Sequence, residues 1–373
     1  MQKLVRTALA VATLAAAVAN VTHAAEGSKW YDNMKIKGDI RYRYQYDERD
    51  ALISGNATSS DQSRHRIRMR LGTYGAINDA MDYGVSLATG GDGSANSTNQ
   101  SLGPTTTASG GTGSSFGKYS IGVDKAYVNM KFIPDTKLTV GKMDNPFWAP
   151  QSSPLVWDGD INPEGLAFNY ATGGFWATIS HLLPDSDTEG INESTKAMST
   201  SSSQQLSALQ LGFKTGGFTA GATYYHASSD PVPTAKGTLL TGADMFDLGL
   251  EYAFMISEMK SAVYGHYLAN TDDATVNDQD SSWLVGYNIG GKQWKAGVAY
   301  LDMGDDAVSG LQDSDFNGGL SDSEGFKVNV SYNIAKNADA GLTYFDWESK
   351  TGVGAARKSW DGSTLQADLA FKF

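Results

Sequence analysis

Polar and apolar residues alternate along most of the chain with period two, and the alternation predicts strands. The last nine residues, LQADLAFKF, set the pattern: Leu365, Ala367, Leu369, Phe371 and Phe373 fall on one side, Gln366, Asp368 and Lys372 on the other. Near the start, Ile36, Ile40, Tyr42, Tyr44 and Tyr46 oppose Lys35, Lys37, Asp39, Arg41, Arg43 and Gln45 within the predicted strand Met34–Glu48. The next strand, Ser63–Gly75, sets Ile67, Met69 and Leu71 against Arg64, Arg66, Arg68 and Arg70. Further strands are predicted at Met81–Thr89, Lys118–Ile133, Thr136–Asp144, Glu164–Ala171, Gly174–Leu183, Gln204–Thr215 and Gly217–Ser228. The remainder are Ala243–Ile256, Glu258–Asn270, Gln279–Ile289, Gln293–Gly304, Asp322–Ala335, Ala338–Ser349 and Gly362–Phe373, for a total of sixteen.

The connections alternate in length. Seven are short: Ala76–Ala80, Pro134–Asp135, Thr172–Gly173, Gly216, Ser257, Gly290–Lys292 and Lys336–Asn337. Eight are long: Arg49–Gln62, Gly90–Gly117, Asn145–Pro163, Pro184–Ser203, Ser229–Gly242, Thr271–Asp278, Asp305–Ser321 and Lys350–Asp361. A meander with this division puts all the long loops at one end. The pattern predicts an all-β, antiparallel up-and-down barrel that spans a membrane, apolar outside and polar in its lumen. A soluble sandwich has no need for so regular a division. No domain boundary interrupts residues 25–373.

The N-terminus adds an export expectation. Lys3 and Arg6 precede an uncharged run from Ala8 to Val21, and Thr22-His23-Ala24 offers small residues at a cleavage site. Residues 1–24 therefore read as a cleaved signal peptide. The run falls short of the ~20 apolar residues of a membrane helix. With 41 acidic residues against 29 basic ones, the net charge of −12 argues against a nucleic-acid partner. The absence of cysteine excludes a disulfide scaffold and thiolate metal sites. Many Gly (42), few Pro (9) and plentiful Tyr (18) and Trp (8) suit strands and tight turns better than helices.

Two constellations carry candidate chemistry. Arg64, Arg66, Arg68 and Arg70 share one face, with Arg41 and Arg43 expected beside them. On a soluble protein such a row is a solvated face or an anion patch. In a membrane barrel it must face the lumen, because each Arg on the lipid side costs about 2–4 kcal/mol at the bilayer midplane. Stacked like charges also call for water, anions or carboxylates nearby. The second constellation is Asn145–Pro163, NPFWAPQSSPLVWDGDINP, with four of the nine prolines, two Trp, and the acids Asp158 and Asp160, followed by Glu164. It is stiff and apolar enough to pack against something.

The alternating architecture and the terminal Phe373 resemble the outer-membrane general porin superfamily of Gram-negative bacteria, closest to the "putative porin" families of proteobacteria. The resemblance implies sixteen strands, short periplasmic turns and long extracellular loops. It implies a third loop folded into the lumen, with Asp158, Asp160 and Glu164 facing a basic wall of Arg41, Arg43, Arg64, Arg66, Arg68 and Arg70. Pro163-Glu164-Gly165 only partly matches the acidic loop motif of the enterobacterial members. The implied function is passive diffusion of small hydrophilic solutes through a water-filled channel, with a substrate-selective channel as the alternative. A structural or adhesive barrel and an outer-membrane enzyme are weaker rivals. The implied partners are two further copies in a homotrimer, outer-membrane lipid and lipopolysaccharide, and an insertion machinery that reads Phe373. The long loop Gly90–Gly117 is the candidate latch onto a neighbouring copy.

Other motifs carry less. Asp158-Gly-Asp160-Ile-Asn162 imitates the start of a calcium loop, but Pro163 occupies the place that needs Gly. Gly113-Ser-Ser115-Phe-Gly117 matches a nucleophile-elbow pattern without a helix to follow. His23, His65, His181, His226 and His266 have no metal or triad spacing. No cofactor, metal or catalytic residue is expected. Acidic clusters in the long loops (Asp185/Asp187/Glu189, Asp272/Asp273, Asp305/Asp306, Asp313/Asp315) read as solvated, or as bridging to lipopolysaccharide phosphates through divalent cations.

Overall fold

The computed structural model of the chain describes residues 33–53, 56–90, 97–103, 116–185, 189–192, 197–200, 203–230, 244–271, 279–304, 307, 311, 315–316, 322–350 and 359–373. The expected signal peptide lies outside these residues, as do Asp187, Asp272, Asp273, Asp305, Asp306 and Asp313.

Sixteen long strands form the wall. They are β1 (Lys35–Ile53), β2 (Asn56–Asn78), β3 (Met81–Thr89), β4 (Ile121–Met130), β5 (Thr136–Lys142), β6 (Glu164–Thr172), β7 (Phe175–Asp185) and β8 (Ser203–Thr215). They continue as β9 (Phe218–Asp230), β10 (Asp244–Ile256), β11 (Met259–Asn270), β12 (Ser281–Gly290), β13 (Trp294–Met303), β14 (Ser323–Ala335), β15 (Ala338–Ser349) and β16 (Ser359–Lys372). Each pairs antiparallel with its sequence neighbours, and β16 pairs with β1, closing the barrel without a free edge. Every backbone donor and acceptor in the wall can thus be met by a neighbour, which a bilayer demands. Among the described residues no helix is long and apolar enough to cross a membrane, a finding that leaves a β-barrel free to cross with its strands.

The β1–β16 seam runs from Asp39–Lys372 to Leu52–Ser359, and Phe373 extends it at the turn end. Phe373 N–H donates to Gly38 O at 3.0 Å and Gly38 N–H to Phe373 O at 2.9 Å. The Phe373 ring lies over Gly38, where a Cβ would sit 2.6 Å from Cζ.

The outer face is apolar. Leu71, Val85, Ile179, Leu211, Leu250, Val263, Val328, Leu342 and Leu369 are all exposed there. Aromatics flank this band at both ends: Phe218 opposite Tyr252 and Trp294 opposite Tyr332 near the short turns, Tyr224 opposite Phe246 and Tyr267 opposite Trp283 near the long loops. A membrane-spanning barrel has this arrangement of apolar band and interfacial girdles. The short turns use left-handed backbone where the hairpin demands it, with φ of 54° at Ser257 and 63° at Asn337.

Three connections differ from the sequence expectation. Arg49–Gln62 is a continuation of the β1–β2 hairpin, paired out to Ile53–Asn56, and not an open loop. Beyond the membrane both faces of a hairpin meet water, so pairing there needs no apolar alternation and leaves no periodic signal. In Gly90–Gly117, Gln100–Ser101 pairs with β2 at Arg66–Ile67, on the edge left open above the shorter β3. The fourth long connection carries a small hairpin of its own, Glu189–Asn192 with Ala197–Thr200.

Candidate functional site

The β1–β2 register assembles a two-column basic wall. Arg41 lies opposite Arg68, Arg43 opposite Arg66, Gln45 opposite Arg64 and Asp39 opposite Arg70. The alternate positions, Ile40, Tyr42 and Tyr44, pair with Met69, Ile67 and His65 on the outer face. Successive inward residues are about 7 Å apart along each strand. Directly opposed like charges destabilise a sheet, and here carboxylates and amides interleave them. Asp368, from the neighbouring β16, accepts from Arg43 Nε at 2.7 Å and Nη2 at 2.9 Å, a two-pronged pair. Asp315 accepts from Arg43 Nη1 at 3.3 Å. Asp39 accepts from Arg68 Nε and Nη2 at 2.9 and 2.7 Å, and Asp47 from Arg64. Arg66 donates to Gln45 Oε1 at 2.9 Å, and Arg41 to Asn99 Oδ1 at 2.6 Å. The Nε–H groups of Arg41, Arg64, Arg66 and Arg70 are buried without a protein partner among the described residues.

Residues 143–163 run inside the barrel, their neck tied by Met143 N–H to Pro163 O at 2.9 Å. One side of this loop is apolar. Phe147, Leu155, Val156, Trp157 and Ile161 are buried with Leu182, Leu206, Tyr225, Met245, Leu268 and Leu301, which occupy inward positions of β7 to β13. Trp148 docks where Gly212, Gly221 and Gly249 form a row across β8, β9 and β10. A Cβ at Gly221 would stand 2.7 Å from Trp148 Cε3, and one at Gly249 would stand 2.7 Å from Pro150 Cδ. Only the missing side chains allow so close an approach. Polar clamps complete the seating: Gln210 accepts from Trp148 N–H at 2.8 Å and donates to Trp148 O at 2.9 Å, and Ser153 Oγ meets His266 Nδ1 at 3.0 Å.

The other side of the loop presents carboxylates. Asp158 Oδ1 accepts from Asp160 N–H at 2.7 Å, fixing a local turn, and Asp158 N–H donates to Leu311 O at 2.6 Å. Asp160 forms an ion pair with Arg70 at 2.5 Å and accepts from Thr98 N–H at 3.4 Å. Burial alone pushes the Asp160 carboxyl up, but Arg70, Arg68, Arg41 and the Thr98 N–H outweigh it and hold it below the ordinary carboxylate value. The six arginines, Asp158, Asp160 and Asp315 all line one cavity of about 550 Å³. Glu164 is not among them. It stands in the outward register of β6 with Leu166 and Phe168, exposed and paired with Lys142 at 2.8 Å.

Sequence reasoning missed the contributions of two other loops. Ser97, Thr98 and Asn99 fold between the basic wall and residues 143–163, where Thr98 and Asn99 are buried. They lie in a Gly/Ser/Thr/Asn-rich stretch with no pattern that could mark them. Asp315 looks like one more solvated loop acid, yet it reaches Arg43, and Gln366 Nε2 donates to it at 3.0 Å. By contrast, the inward parity of Asp39 and Asp368 was readable from alternation. Among the described residues no group of three or more His, Cys, Asp or Glu side chains is placed to hold a metal ion. Gly113–Ser115 of the nucleophile-elbow pattern lie outside the described residues.

A family model described as "Putative porin" matches residues 48–227. Among curated proteins none matches the chain. Solved structures do: a mutant of the Rh. blastica porin has 13% identity and a TM-score of 0.53, covering 91% of this chain and 100% of its own. Acinetobacter baumannii OccAB4 has 13% identity and a TM-score of 0.50, covering 91% of this chain and 99% of its own. At this identity the structures establish the shared fold alone. The family match gives a sequence link to porins over residues 48–227, just under half of the chain, and the closed sixteen-strand barrel is the fold shared with the porin structures; together they support an outer-membrane channel.

Proposed function

We propose that the barrel is a water-filled channel for passive diffusion of small hydrophilic solutes and ions, with weak charge selectivity set at a constriction inside the lumen. The observation that carries this reading is the meeting of the β1–β2 arginines with Asp158 and Asp160 around one cavity. Fixed charges of both signs line this cavity, with Asp160 closed directly onto Arg70, so cations and anions passing it are drawn to different groups. Screening over roughly 8–10 Å confines discrimination to the narrow zone. Most of the guanidinium groups already hold carboxylates, so the wall's excess positive charge is small and the net preference weak. The match and fold favour a channel over an enzyme.

The same reading includes cleavage of residues 1–24, long loops facing the cell exterior against lipopolysaccharide, recognition of Phe373 by the insertion machinery, and assembly as a homotrimer. A second reading, a substrate-selective channel, draws on the inward folding of residues 97–99 and 143–163 and on the burial of Ala307, Leu311 and Phe316 beside them, which leaves less open lumen than one loop would. The mature protein in a planar bilayer tests the proposal. Stepwise, ohmic conductance in KCl is the expected result, and a lumen that never conducts overturns it. Saturable inhibition by one solute class favours the selective reading. Mild crosslinking should trap three copies, and a clean monomer under gentle extraction rules out the trimer.

A further inference from the structure

A second cavity lies on the turn side of the inward loop, remote from the basic wall. It measures about 590 Å³ and is lined by Trp148, Trp176, Pro146, Asn169, Asp135 and Lys137, among others. The volume is in the range that holds a small ligand. Its floor is two indoles with ring centroids 5.6 Å apart and planes at 63°, an open corner. Both are fixed from behind. Trp176 rests on Gly212 and Trp148 on Gly221, where added side chains would overlap them. Gln210, almost fully buried, accepts from Trp176 Nε1 at 3.3 Å and from Trp148 N–H at 2.8 Å. A platform so held loses little freedom when something stacks on it.

The rim supplies polar groups of both signs. Lys137 and Asp135 are exposed, and neither forms an ion pair among the described residues. Lys131 is already held by Asp82 at 2.8 Å. The pocket therefore has one ammonium donor and one carboxylate acceptor over an aromatic floor, with no net charge to favour an anion. A pyranose ring has the complementary chemistry: an apolar C–H face for an indole, and hydroxyls that accept from an amine and donate to a carboxylate. We infer that the Trp148–Trp176 corner is a saccharide subsite, met by a neutral sugar after it passes the constriction. The subsite rests on the channel reading.

The test uses the mature protein in a planar bilayer in KCl, with maltose added on the turn side and polyethylene glycol of similar hydrodynamic size as the control. Maltose should reduce the current saturably and more strongly than the polymer. Trp176→Leu should raise the half-saturating maltose concentration about fivefold, the scale of one aromatic contact. Separately, the pair Asp135→Asn with Lys137→Gln should raise it by about the same factor, the scale of one net hydrogen bond. If Trp176→Leu fails to insert, the rim pair decides. Equal reduction by maltose and polymer, an unchanged half-saturation in the rim pair, or block by benzoate but not by maltose overturns the subsite. Wild-type protein that gives no KCl steps refutes the channel reading instead, which separates the two failures.

Discussion

Adding one methyl group at Gly221 should reset the width of the lumen. In Gly221→Ala the new Cβ falls 2.7 Å from Trp148 Cε3 and 3.1 Å from Cζ3. Carbon atoms in contact prefer ~3.5–4.0 Å, so the indole must move by roughly 1 Å. It cannot slide along the wall, because Gln210 clamps its backbone on both sides and Trp176 abuts its edge. The displacement therefore points into the lumen. Such overpacking costs about 1–3 kcal/mol. That cost falls on the loop's seating, because alanine sits readily in extended backbone and the β8–β9–β10 ladder survives. Single-channel conductance of Gly221→Ala should fall below wild type with heat-modifiable mobility unchanged. Gly221→Leu exceeds what a shift can accommodate; it should undock the loop, raising conductance and adding slow current fluctuations. If both variants insert and conduct like the wild type, the glycine row does not position the loop.

Deleting Phe373 removes both its hydrogen bonds to Gly38 and the ring over it, and should lower the folded outer-membrane fraction; unchanged heat-modifiable mobility and surface protease resistance would count against this. Asp160 has a folded pKa below its ordinary value of 3.8, so its tether to Arg70 is at full strength above that value and is lost only as pH falls through the lower, folded one. Ion selectivity should accordingly stay constant from neutral pH down to about pH 4 as far as Asp160 sets it, and a change centred near pH 5 would contradict the ion pair. Asp368→Ala leaves Arg43, which is 6% exposed, with Asp315 as its remaining carboxylate, and the thermal midpoint should fall by an amount equivalent to roughly 1–3 kcal/mol given the wet lumen; an unaltered midpoint would show that the pair contributes nothing net.

The strands were readable because a wall between lipid and water imposes a different polarity on each face. Ala338–Ser349 matches the prediction residue for residue, whereas for Thr136–Lys142, the shortest, the sequence predicts Thr136–Asp144 from a stretch with no clear apolar face. The Arg41–Arg68 and Arg43–Arg66 pairs follow from the same parity once the register is known. What lay beyond alternation was not legible. The extended β1–β2 hairpin carries no sustained apolar-polar alternation, because both of its faces meet water. Thr98, Asn99 and Asp315 reach the basic wall through loop conformations that composition does not encode. Glu164 adjoins the acidic end of the inward loop in sequence, yet strand β6 has begun by then and its parity turns the side chain outward. The apolar side of Asn145–Pro163 did announce that it packs on something; that the something is a row of glycines needed the register of three strands.

Reversal potential under a KCl gradient, measured for two variants beside the wild type, tests the central claim most directly: that the β1–β2 arginines and the loop carboxylates share one narrow zone of the conducting path. Arg66→Ser with Arg68→Ser should move the potential toward cation preference, and Asp158→Asn with Asp160→Asn should move it toward anion preference. No shift from either pair, with normal insertion and conductance, would mean that ions pass elsewhere and that these residues do not line the constriction.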